Sequence, residues 1–432
     1  MNLDGPIAVV GLGYVGLPLA LQFAERGAVI IGLDIDPTKT ERLNRGESYI
    51  LHIPASRVAG ARSAGRLEAS TDFSRLDDCQ AVIICVPTPL KGENEPDLSY
   101  VMNTGRAIAP HLHPSMLVVL ESTTYPGTTE DELRAVLEAG SGLVAGRDFH
   151  LAYSPEREDP GNPASQLSEI PKIVGGLTPP CRDRAMALYA RIVKTVVPVA
   201  SCRVAEAVKL TENIFRAVNI AMVNELKLVY EAMGIDIWQV IEAAKTKPFG
   251  YMPFYPGPGL GGHCIPIDPF YLTWKASQYG QETRFIRLAG EVNTAMPAHV
   301  VERTVAALLA RHREVRGARI LLLGIAYKPE VDDDRESPGY VLWNLFEEQG
   351  AVVEYHDPYI PVIRPSREHS HYAGRQSLPL TARDLCEFDV VVIVTQHREV
   401  DYALVAQHAR LIVDTRNVLG SLGLPTERYL KA

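Results

Sequence analysis

The stretch IAVVGLGYVGLPLA, Ile7 to Ala20, decides the fold class of this chain. A β-branched run comes first, and Gly11, Gly13 and Gly16 then form the pattern G-x-G-x-x-G directly before an apolar helical pattern. Glycines at these places let backbone amides and a helix N-terminus approach a pyrophosphate. The alternative is a glycine turn that only packs the helix on the strand. We interpret the stretch as the start of a dinucleotide-binding fold.

The residue that ends the second predicted strand, Asp34, selects between the two nicotinamide dinucleotides. Asp34 follows the glycine pattern by roughly the 20 residues that the dinucleotide-binding fingerprint requires. A carboxylate at this place accepts hydrogen bonds from both ribose hydroxyls and repels a 2′-phosphate. The sequence therefore predicts NAD, rather than NADP, as the cofactor.

Strand-like runs alternate with amphipathic helical patterns in two regions of the chain. The first region holds IAVVGLG, AVIIGLD, AVIICVP, MLVVLES and HLAYSP, and the second holds RILLLG, AVVEYHD, DVVVIVT and ARLIVDT. This alternation is typical of a parallel sheet with helices on both faces. Between the two regions, from Ser201 to Met233, the alternation is replaced by one long apolar helical run.

These patterns predict an α/β fold of two Rossmann-like doubly wound parallel-sheet domains joined by a long central helix. The expected domains are an NAD-binding domain at 1–200, a central helical domain with the loop around Cys264 at 201–312, and a second Rossmann-like domain at 313–432. Open sheets of this kind bind ligands beyond the carboxyl ends of their strands. The strand ends VPTP, Val86 to Pro89, and ESTTYPG, Glu121 to Gly127, are therefore expected to line the cofactor crevice.

Composition and charge exclude several classes of protein. The chain of 432 residues is 46% hydrophobic and carries a net charge of −9, which argues against a sequence-independent nucleic-acid-binding protein. No apolar run reaches the roughly 18 residues of a membrane-spanning helix, and the N-terminal segment lacks a basic stretch or a cleavage site. The six cysteines lack the paired spacing of a zinc site. We expect a cytoplasmic protein without a nucleic-acid, membrane or metal partner.

The stretch GPGLGGHCIPIDPFYL, Gly257 to Leu272, places a thiol in a loop rich in glycine and proline. Cys264 ends this loop, and Asp268 follows near a predicted helix start, where a helix N-terminus favours a thiolate. The local sequence leaves two interpretations of Cys264 open, a small buried hydrophobe and a nucleophile. A nucleophilic thiol beside NAD allows an aldehyde to be oxidised to an acid through a thiohemiacetal and a thioester, with two NAD per turnover.

Longer motifs give the chain a resemblance to a known family. They are GLGYVGLPLA, STTYPGTT, YSPER, VKLTENIFRAVNIAMVNEL, GPGLGGHCIPIDP and GIAYKPEVDDDRESP. With them the chain resembles the UDP-glucose/GDP-mannose dehydrogenase family from the first motif nearly to the C-terminus. Within that family the form GGHCIPIDPFYL is most similar to UDP-N-acetylglucosamine 6-dehydrogenases. The resemblance implies an NAD-dependent four-electron oxidation of UDP-N-acetylglucosamine at carbon 6 to UDP-N-acetylglucosaminuronic acid, a precursor of surface polysaccharides.

The resemblance also implies catalytic roles. Cys264 would be the nucleophile, and Asp268 would act beside it as a general base or in water activation. Lys209 and Asn213 lie at i and i+4 on the predicted central helix, so they project from one face and suit an oxyanion site. The alternative for this pair is a lysine that reaches the surface and an asparagine in a packing gap.

Thr123 and Glu156 match the family's positions for a hydroxyl that positions water and a carboxylate that assists thioester hydrolysis. Their alternative roles are a turn cap and a solvated charge. After YSPER this chain reads EDPGNP, where UDP-glucose enzymes have a leucine-alanine-glutamate stretch, and the sugar contacts of those enzymes do not carry over there.

Further residues are implied to bind the cofactor or the substrate. The cofactor set is Gly11, Gly13, Tyr14, Val15, Gly16, Asp34, Pro87, Thr88, Ser122, Thr123 and Arg335. The substrate set is Glu156, Arg157, Lys209, Asn213, Tyr255, Gly257, Gly259, Gly261, Gly262, His263, Tyr327 and Lys328. The resemblance implies that the domain at 313–432 binds the UDP-sugar. A cationic pair such as Lys328 and Arg335 after a strand fits a diphosphate or the phosphates of the dinucleotide. His263 either contacts the N-acetyl sugar or satisfies a loop carbonyl, and Asp332 to Asp334 are expected in a solvated loop.

The leading hypothesis leaves alternatives. The sugar nucleotide could be UDP-N-acetylmannosamine, UDP-N-acetylgalactosamine or UDP-glucose, and a more distant alternative is a two-electron hydroxy acid dehydrogenase. A catalytically inactive nucleotide-sugar sensor is disfavoured, because the cysteine, lysine and aspartate are all present. We also expect a homodimer through the central helix, or a higher homo-oligomer, because Ile214, Val218, Ala221 and Leu228 offer more apolar surface than one chain requires.

Overall fold

The predicted strand runs form strands of two separate sheets in the computed structural model. The structure describes residues 5–51, 53–92, 95–157, 167–262, 264–366, 369–424 and 427–432, without the side chains of Leu167 and Cys264. The chain divides into a first unit, Met1–Asn213 with Ile267–Glu282, and a second unit, Ile214–Pro266 with Thr283–Ala432. The predicted α/β fold with two Rossmann-like sheets and a long central helix is confirmed.

The first unit is built on an eight-stranded sheet. The strands of this unit are β1 (Ile7–Val10), β2 (Ile30–Leu33), β3 (Leu67–Ser70), β4 (Ala81–Ile84), β5 (Leu90–Lys91), β6 (Glu95–Pro96), β7 (Leu117–Leu120), β8 (His150–Tyr153), β9 (Lys172–Gly176) and β10 (Val196–Pro198). The order across the sheet is β10-β9-β8-β7-β4-β1-β2-β3, while β5 and β6 form a separate antiparallel ribbon. All neighbours in the large sheet are parallel except β8 and β9.

The strand order reverses at the centre of this sheet and positions the cofactor site. From β1 the chain goes to β2 and β3 on one side, and it continues with β4, β7 and β8 on the other. Such a reversal opens a crevice at the carboxyl ends of the two central strands. Both faces of β1, β2, β4 and β7 are buried, which explains why these strands are continuous apolar runs rather than alternating ones.

Helices cover the sheet and connect its strands. Those of the first unit are α1 (Gly16–Glu25), α2 (Pro37–Asn44), α3 (Ala55–Ser63), α4 (Ser99–Ile108), α5 (Arg134–Ser141) and α6 (Pro179–Tyr189). A π-helical turn, Thr129–Leu133, precedes α5. Side chains of Asp36 and Thr178 accept hydrogen bonds from the first turns of α2 and α6, so the sequence itself starts these two helices.

Three further helices follow along the chain, and two of them belong to both units. They are α7 (Cys202–Ala232), α8 (Ile237–Ala244) and α9 (Cys264–Ser277). The 31-residue α7 starts in the first unit and continues in the second after Asn213, and α9 starts in the second unit and belongs to the first from Ile267. The predicted run from Ser201 to Met233 is thus one helix.

The second unit contains a smaller sheet in which every pair of neighbours is parallel. The strands are β11 (Arg319–Leu323), β12 (Val352–His356), β13 (Val390–Ile393), β14 (Ile412–Asp414) and β15 (Tyr429–Lys431), in the order β12-β11-β13-β14-β15. The remaining helices are α10 (Arg284–Leu309), α11 (Pro338–Glu348), α12 (Ala382–Glu387), α13 (Tyr402–His408) and α14 (Val418–Ser421). Apolar clusters fill both faces of this sheet.

The second sheet repeats a local arrangement of the first. Gly324 follows β11 with φ +90°, as Gly11 follows β1 with φ +91°. Asp357 follows β12, and one of its carboxylate oxygens accepts from Ile325 N at 2.7 Å and Ala326 N at 2.8 Å. Asp34 holds the corresponding place after β2. The strand, glycine turn and acidic residue are therefore present in both units.

Among the helices in the described ranges, none is long and apolar enough to cross a membrane.

Candidate active site

A glycine turn at the carboxyl end of β1 forms the predicted cofactor cradle. A Cβ atom on Gly11 would lie 2.5 Å from the Cys85 carbonyl oxygen, and a Cβ on Gly16 would overlap the Gly11 carbonyl. A Cβ on Gly13 would meet nothing within 4 Å, so the turn faces open space at that residue. Gly11 and Gly16 thus permit close packing of the turn, and Gly13 leaves the N-terminus of α1 accessible to a phosphate group.

Asp34 is fixed beside this turn at the end of β2. One carboxylate oxygen accepts from Leu12 N at 2.9 Å and pairs with Lys39 Nζ at 3.1 Å, and the other accepts from Asp36 N at 3.0 Å. Asp34 is 7% exposed, which leaves part of the carboxylate available to a ribose. The glycine turn and this carboxylate fit NAD. Lys39, whose side chain is 35% exposed, was not predicted.

Two loops at the carboxyl ends of β4 and β7 belong to the same edge of the sheet. Ser122 Oγ donates to the Val86 carbonyl at 2.6 Å and thereby joins the loops. Tyr271 on α9 donates to the carbonyls of Thr88 at 2.9 Å and Pro89 at 3.1 Å. Thr123, next to Ser122, is half-buried. The structure therefore places the predicted strand ends together.

A buried polar cluster lies at the first half of α7 and brings together four of the predicted catalytic residues. Lys209 Nζ donates to the Glu156 carbonyl at 2.6 Å and lies 3.8 Å from the Glu156 carboxylate. Asn213 Nδ2 donates to Asp268 Oδ2 at 2.5 Å. Lys209, Asn213 and Asp268 are 6%, 2% and 4% exposed. The lysine therefore does not reach the surface, and the alternative of a solvent-directed side chain is wrong.

A tyrosine hydroxyl lies among these carboxyl groups. Tyr153, at the end of β8, is fully buried, and its hydroxyl has no hydrogen-bond partner within the described part of the chain. Burial raises the pKa of Tyr153 well above its ordinary value, and the charges of Glu206 and Asp268 add to this effect. The group is therefore a neutral hydroxyl beside the cluster.

Arg157 is held by residues that sequence reasoning did not connect with it. Its Nη2 donates to Glu212 Oε1 at 2.6 Å, and its Nη1 donates to the Pro171 carbonyl at 2.6 Å. Glu212 lies on α7, between Lys209 and Asn213 in the sequence. These contacts fix the guanidinium beside the helix that carries the buried cluster.

The predicted nucleophile lies at a helix start. Helix α9 begins at Cys264, but the side chain of Cys264 and the whole of His263 lie outside the described residues. Asp268 lies four residues further along the same helix. In general, the positive end of a helix dipole favours a thiolate near a helix N-terminus.

The glycine-rich loop before α9 packs tightly within the second unit. Gly257 N donates to Asn224 Oδ1 at 3.0 Å, and a Cβ on Gly257 would overlap the Arg416 guanidinium. Cβ atoms on Gly261 and Gly262 would come within 2.9 Å and 2.7 Å of the Tyr327 side chain. The loop thus brings its glycines against side chains that follow strands β11 and β14.

Other residues of the loop make contacts away from this packing. Gly259 has φ +127°, and a Cβ there would lie 3.3 Å from Pro297 and from Pro338. The Tyr255 ring stacks on Trp238 with the ring centroids 5.7 Å apart, and its hydroxyl donates to Glu242 at 2.9 Å. These contacts attach Tyr255 to α8.

The basic pair after β11 is accompanied by buried carboxylates. Arg335 donates to both carboxylate oxygens of Asp333, at 2.8 Å and 2.6 Å, and the Tyr327 backbone N–H donates to the Asp333 carbonyl at 2.9 Å. Lys328 Nζ lies 5.9 Å from the centre of the Tyr327 ring. Asp332 and Asp333 are 4% and 8% exposed. The expectation of a solvated acidic loop is therefore wrong for Asp332 and Asp333. The hydrogen bonds from Arg335 offset the cost of burying the Asp333 charge.

Arg416 was missed by sequence reasoning. Its Nε donates to the Val394 carbonyl at 2.9 Å, and its backbone N–H donates to Asp414 Oδ1 at 2.9 Å. Burial lowers the pKa of Arg416 to about 10, so the side chain stays positively charged at neutral pH. The only local signal is its place just after β14, where ligand-binding residues of such sheets lie.

The open glycine turn, the acidic residue after β2 and the buried lysine–amide–carboxylate cluster define the chain as a dehydrogenase that uses a nicotinamide dinucleotide. Family models match almost the whole length. They describe the NAD binding domain at residues 6–193, the central domain at 203–295 and the UDP binding domain at 321–421 of the UDP-glucose/GDP-mannose dehydrogenase family. The chain belongs to this family and is an NAD-dependent nucleotide-sugar dehydrogenase.

Individual relatives agree with this membership. UDP-N-acetyl-D-mannosamine dehydrogenase of Escherichia coli (strain K12) is 38% identical over 406 residues, which cover 91% of this chain and 94% of that protein. UDP-N-acetyl-D-glucosamine 6-dehydrogenase of Pseudomonas aeruginosa is 36% identical over 397 residues, covering 92% and 91%. The solved structure of UDP-D-ManNAc dehydrogenase from Pyrococcus horikoshii superimposes with a TM-score of 0.87 at 33% identity and covers 98% of each chain.

Proposed function

We propose that this enzyme oxidises UDP-N-acetylglucosamine at carbon 6 to UDP-N-acetylglucosaminuronic acid and consumes two NAD for each sugar. Support for an N-acetylated amino sugar comes from relatives named for UDP-N-acetylglucosamine and UDP-N-acetylmannosamine. Support for the glucosamine epimer comes from the run GGHCIPIDPFYL, Gly261 to Leu272. UDP-N-acetylmannosamine, which differs from it only in the configuration at carbon 2, is the second candidate.

The observation that carries the chemistry is the buried cluster on α7. An ammonium group at Lys209 and an amide at Asn213 leave one face of the helix and are held by Glu156 and Asp268. Fixed donors in a site of low polarity stabilise negative charge on a sugar oxygen far better than water does. Such a site suits a reaction in which a hydroxyl loses its proton while the carbon that bears it gives up a hydride.

The first oxidation converts the carbon 6 alcohol into an aldehyde. Bound NAD supplies the acceptor for the hydride in both oxidations. The hydroxyl proton goes to a base, for which we propose Asp268, directly or through a water. Lys209 and Asn213 stabilise the developing charge on the oxygen while the hydride leaves the carbon.

The second oxidation requires a tetrahedral carbon that still carries hydrogen. The Cys264 thiolate adds to the aldehyde carbon, and the resulting thiohemiacetal gives up the second hydride and becomes a thioester. Water, positioned by Thr123 and activated by Glu156, then breaks the carbon–sulfur bond and releases the acid and the thiolate. In total an alcohol, one water and two NAD become a carboxylate, two NADH and three protons.

The nucleotide end of the substrate is assigned to the second unit. Lys328 and Tyr327 follow β11, and the glycine-rich loop packs against that tyrosine. We propose that Lys328 contacts the diphosphate of the substrate. Arg335, oriented by the two hydrogen bonds that it donates to Asp333, is proposed to contact the phosphates of NAD.

Assays with four sugar nucleotides test the proposal. The purified enzyme is incubated with UDP-N-acetylglucosamine, UDP-N-acetylmannosamine, UDP-N-acetylgalactosamine and UDP-glucose, and NADH is counted per sugar consumed. We expect the highest kcat/KM for UDP-N-acetylglucosamine and two NADH per sugar. A higher value for UDP-N-acetylmannosamine would move the proposal to that epimer. One NADH per sugar would exclude the thioester route and favour a two-electron alcohol dehydrogenase.

A further inference from the structure

A buried carboxylate that no catalytic role has yet used lies on α7, one turn before Lys209. Glu206 is fully buried, and both of its carboxylate oxygens accept hydrogen bonds from the segment after β7. The donors are Gly127 N at 2.7 Å, Thr129 N at 2.9 Å, Thr129 Oγ1 at 2.7 Å and Thr124 Oγ1 at 3.4 Å. Four donors on one carboxylate fix the position of that segment.

A second contact from α7 holds the same segment through its side chains. Arg203, one turn before Glu206, pairs with Glu130 at 2.8 Å and with Asp131 at 2.7 Å. These acids start the π-helical turn Thr129–Leu133, a rare geometry that is frequent at functional sites. The first two turns of α7 therefore bind this segment by its backbone and by its acidic side chains.

The two elements joined in this way each carry a proposed catalytic group. Thr123 lies in the loop just before the residues that Glu206 accepts from. Lys209 lies three residues after Glu206 on the same helix, so the two side chains leave neighbouring positions of one face. A shift of the loop against α7 would change the distance between the water-positioning hydroxyl and the ammonium group.

We propose that Glu206 is a positioning residue for catalysis: its carboxylate fixes the loop from Ser122 to Thr129, and with it Thr123, against the helix that carries Lys209. The inference rests on the proposed roles of Thr123 and Lys209. It adds that the loop geometry depends on the charge of a carboxylate that touches neither substrate nor cofactor.

The charge on Glu206 changes near neutral pH. Burial raises the pKa of Glu206 to about 7, opposed by the hydrogen bonds from Thr129 and Gly127 and assisted by the charge of Glu130. The other ionisable side chains around it are Tyr125 and Asp131 on the held segment, Tyr153 on β8, Cys202, Arg203 and Lys209 on α7, and, around Tyr153, Glu121, Glu156 and Asp268. A protonated carboxyl group loses acceptor capacity, so the loop loses hydrogen bonds below about pH 7.

Stability and turnover should respond to this proton in opposite directions. The pKa of Glu206 in the folded enzyme lies above its ordinary value of 4.5. The contribution of this carboxyl group to folding stability is therefore complete below pH 4.5 and is lost as the pH rises through about 7. Turnover requires the charged form and should fall as the pH drops through the same range. A residue with only a structural role would not produce this opposition.

The test measures kcat and KM of the full-length enzyme from pH 5.5 to 9, together with the thermal midpoint, for wild type and two variants. Glu206→Gln removes the charge, and we expect roughly a tenfold lower kcat at pH 8, an unchanged KM for NAD and loss of the acid limb. Thr129→Val removes one donor to the carboxylate, and we expect the acid limb to move to higher pH by roughly half a unit. Glu302→Gln, at an exposed position of α10, is the matched control.

Two results would overturn the inference. One is a Glu206→Gln enzyme that keeps the wild-type kcat within about twofold and the wild-type acid limb. The other is an acid limb that does not move in Thr129→Val, a variant that leaves the charge in place and decides the question even where the glutamine variant does not fold. Failure of the proposed function would give a different result. It would change the number of NADH formed per sugar, whereas failure of this inference would change only the pH dependence of kcat.

Discussion

Asp34 carries the prediction of cofactor specificity, and its ion pair with Lys39 makes that prediction sharper. In the wild type the carboxylate repels a 2′-phosphate, and we expect kcat/KM for NAD to exceed that for NADP by roughly a hundredfold or more. Asp34→Ala removes the repulsion. It also removes the carboxylate oxygen that lies 3.1 Å from Lys39 Nζ, so the Lys39 ammonium can attract a phosphate. We expect a higher kcat/KM for NADP and a lower one for NAD, measured by steady-state kinetics.

The double variant Asp34→Ala Lys39→Ala is the control for that experiment. The double variant should lose most of the increase in kcat/KM for NADP. It lacks the Asp34 carboxylate that repels a 2′-phosphate, but it also lacks the Lys39 ammonium that attracts one. Equal kcat/KM for both cofactors in the wild type would contradict the role assigned to Asp34.

Cys264→Ser tests the covalent mechanism at a single atom. A serine hydroxyl is a far weaker acid than a thiol, so we expect overall turnover to fall by at least roughly a thousandfold while UDP-sugar and NAD still bind. Acid quench of the wild type during turnover should give a mass adduct on the peptide that contains Cys264. Cys386→Ser, which changes an exposed thiol, should leave turnover unchanged. Production of two NADH per sugar by Cys264→Ser at a near-normal rate would show that the thiol is only a packing residue.

The sequence indicated the site where the chemistry depends on local spacing. The pattern around Gly11 and the i, i+4 pair of Lys209 and Asn213 are both local in sequence. The glycine pattern lies at the carboxyl edge of the first sheet, and the lysine and asparagine lie together in the buried cluster. Glu206 and Arg416 were missed, because the donors to Glu206 lie 77 to 82 residues away in the sequence and the Val394 partner of Arg416 lies 22 residues away. Contacts at such separations depend on the folded topology, which no local pattern contains.

At the scale of elements, α7 carries the prediction of a homodimer. Phe215, Met222 and Val229 are each 47% exposed. They are spaced by seven residues, the repeat that places side chains along one stripe of a helix that packs on another. Of the residues expected there, Ala221 is buried and Ile214, Val218 and Leu228 are half-buried within the chain, so the exposed stripe lies beside them. We propose a homodimer in which this stripe meets its copy.

Met222→Asp should weaken that dimer. A charge at the centre of an apolar contact has no partner and costs several kcal/mol on burial, so we expect the molar mass measured by light scattering to fall from two chains towards one. Gln239→Asp, an equivalent change at an exposed position of α8, should leave the mass unchanged. A monomeric wild type would exclude the proposal.

The prediction of strands succeeded or failed according to burial. Strands such as β1 and β4 are buried on both faces and are therefore continuous apolar runs that can be identified without a structure. Six strands in the described ranges were not predicted: the ribbon strands β5 and β6, the edge strands β3, β10 and β15, and β9, the antiparallel neighbour of β8. Their sequences are short or rich in glycine and polar residues: LK, EP, LEAS, VVP, YLK and KIVGG. Pairing with a neighbouring strand, rather than their own pattern, makes them strands.

At the scale of the whole molecule, the chain passes between its two units more than once. The first unit includes Ile267–Glu282, although these residues follow a long stretch of the second unit. Within the first unit this segment supplies the Asp268 partner of Asn213 and the Tyr271 bonds to the loop after β4. The predicted three-part division at residues 200 and 312 stays a prediction. Whether the segment Ile267–Glu282 stabilises the first unit can be tested.

A fragment of residues 1–213 should be less stable than the same fragment linked to residues 267–282. The longer form restores the hydrogen bonds of Asp268 and Tyr271, and we expect its midpoint in urea to be higher. A linked fragment in which the added segment is scrambled in sequence is the control. Equal midpoints for the first two fragments would show that the segment does not contribute to the stability of this unit.

The repeated strand, glycine and acid arrangement raises the question of how one chain avoids taking up its cofactor twice. Asp357 is 1% exposed, and beyond Ile325 and Ala326 it accepts from Tyr359 N at 2.8 Å, Ile360 N at 3.1 Å and His397 Nε2 at 3.2 Å. Five donors saturate this carboxylate, whereas Asp34 remains partly accessible. The second copy of the motif thus has no acceptor left to offer a ribose. In a calorimetric titration the enzyme should therefore saturate at one NAD per chain, and rising cofactor concentration should not displace the sugar nucleotide.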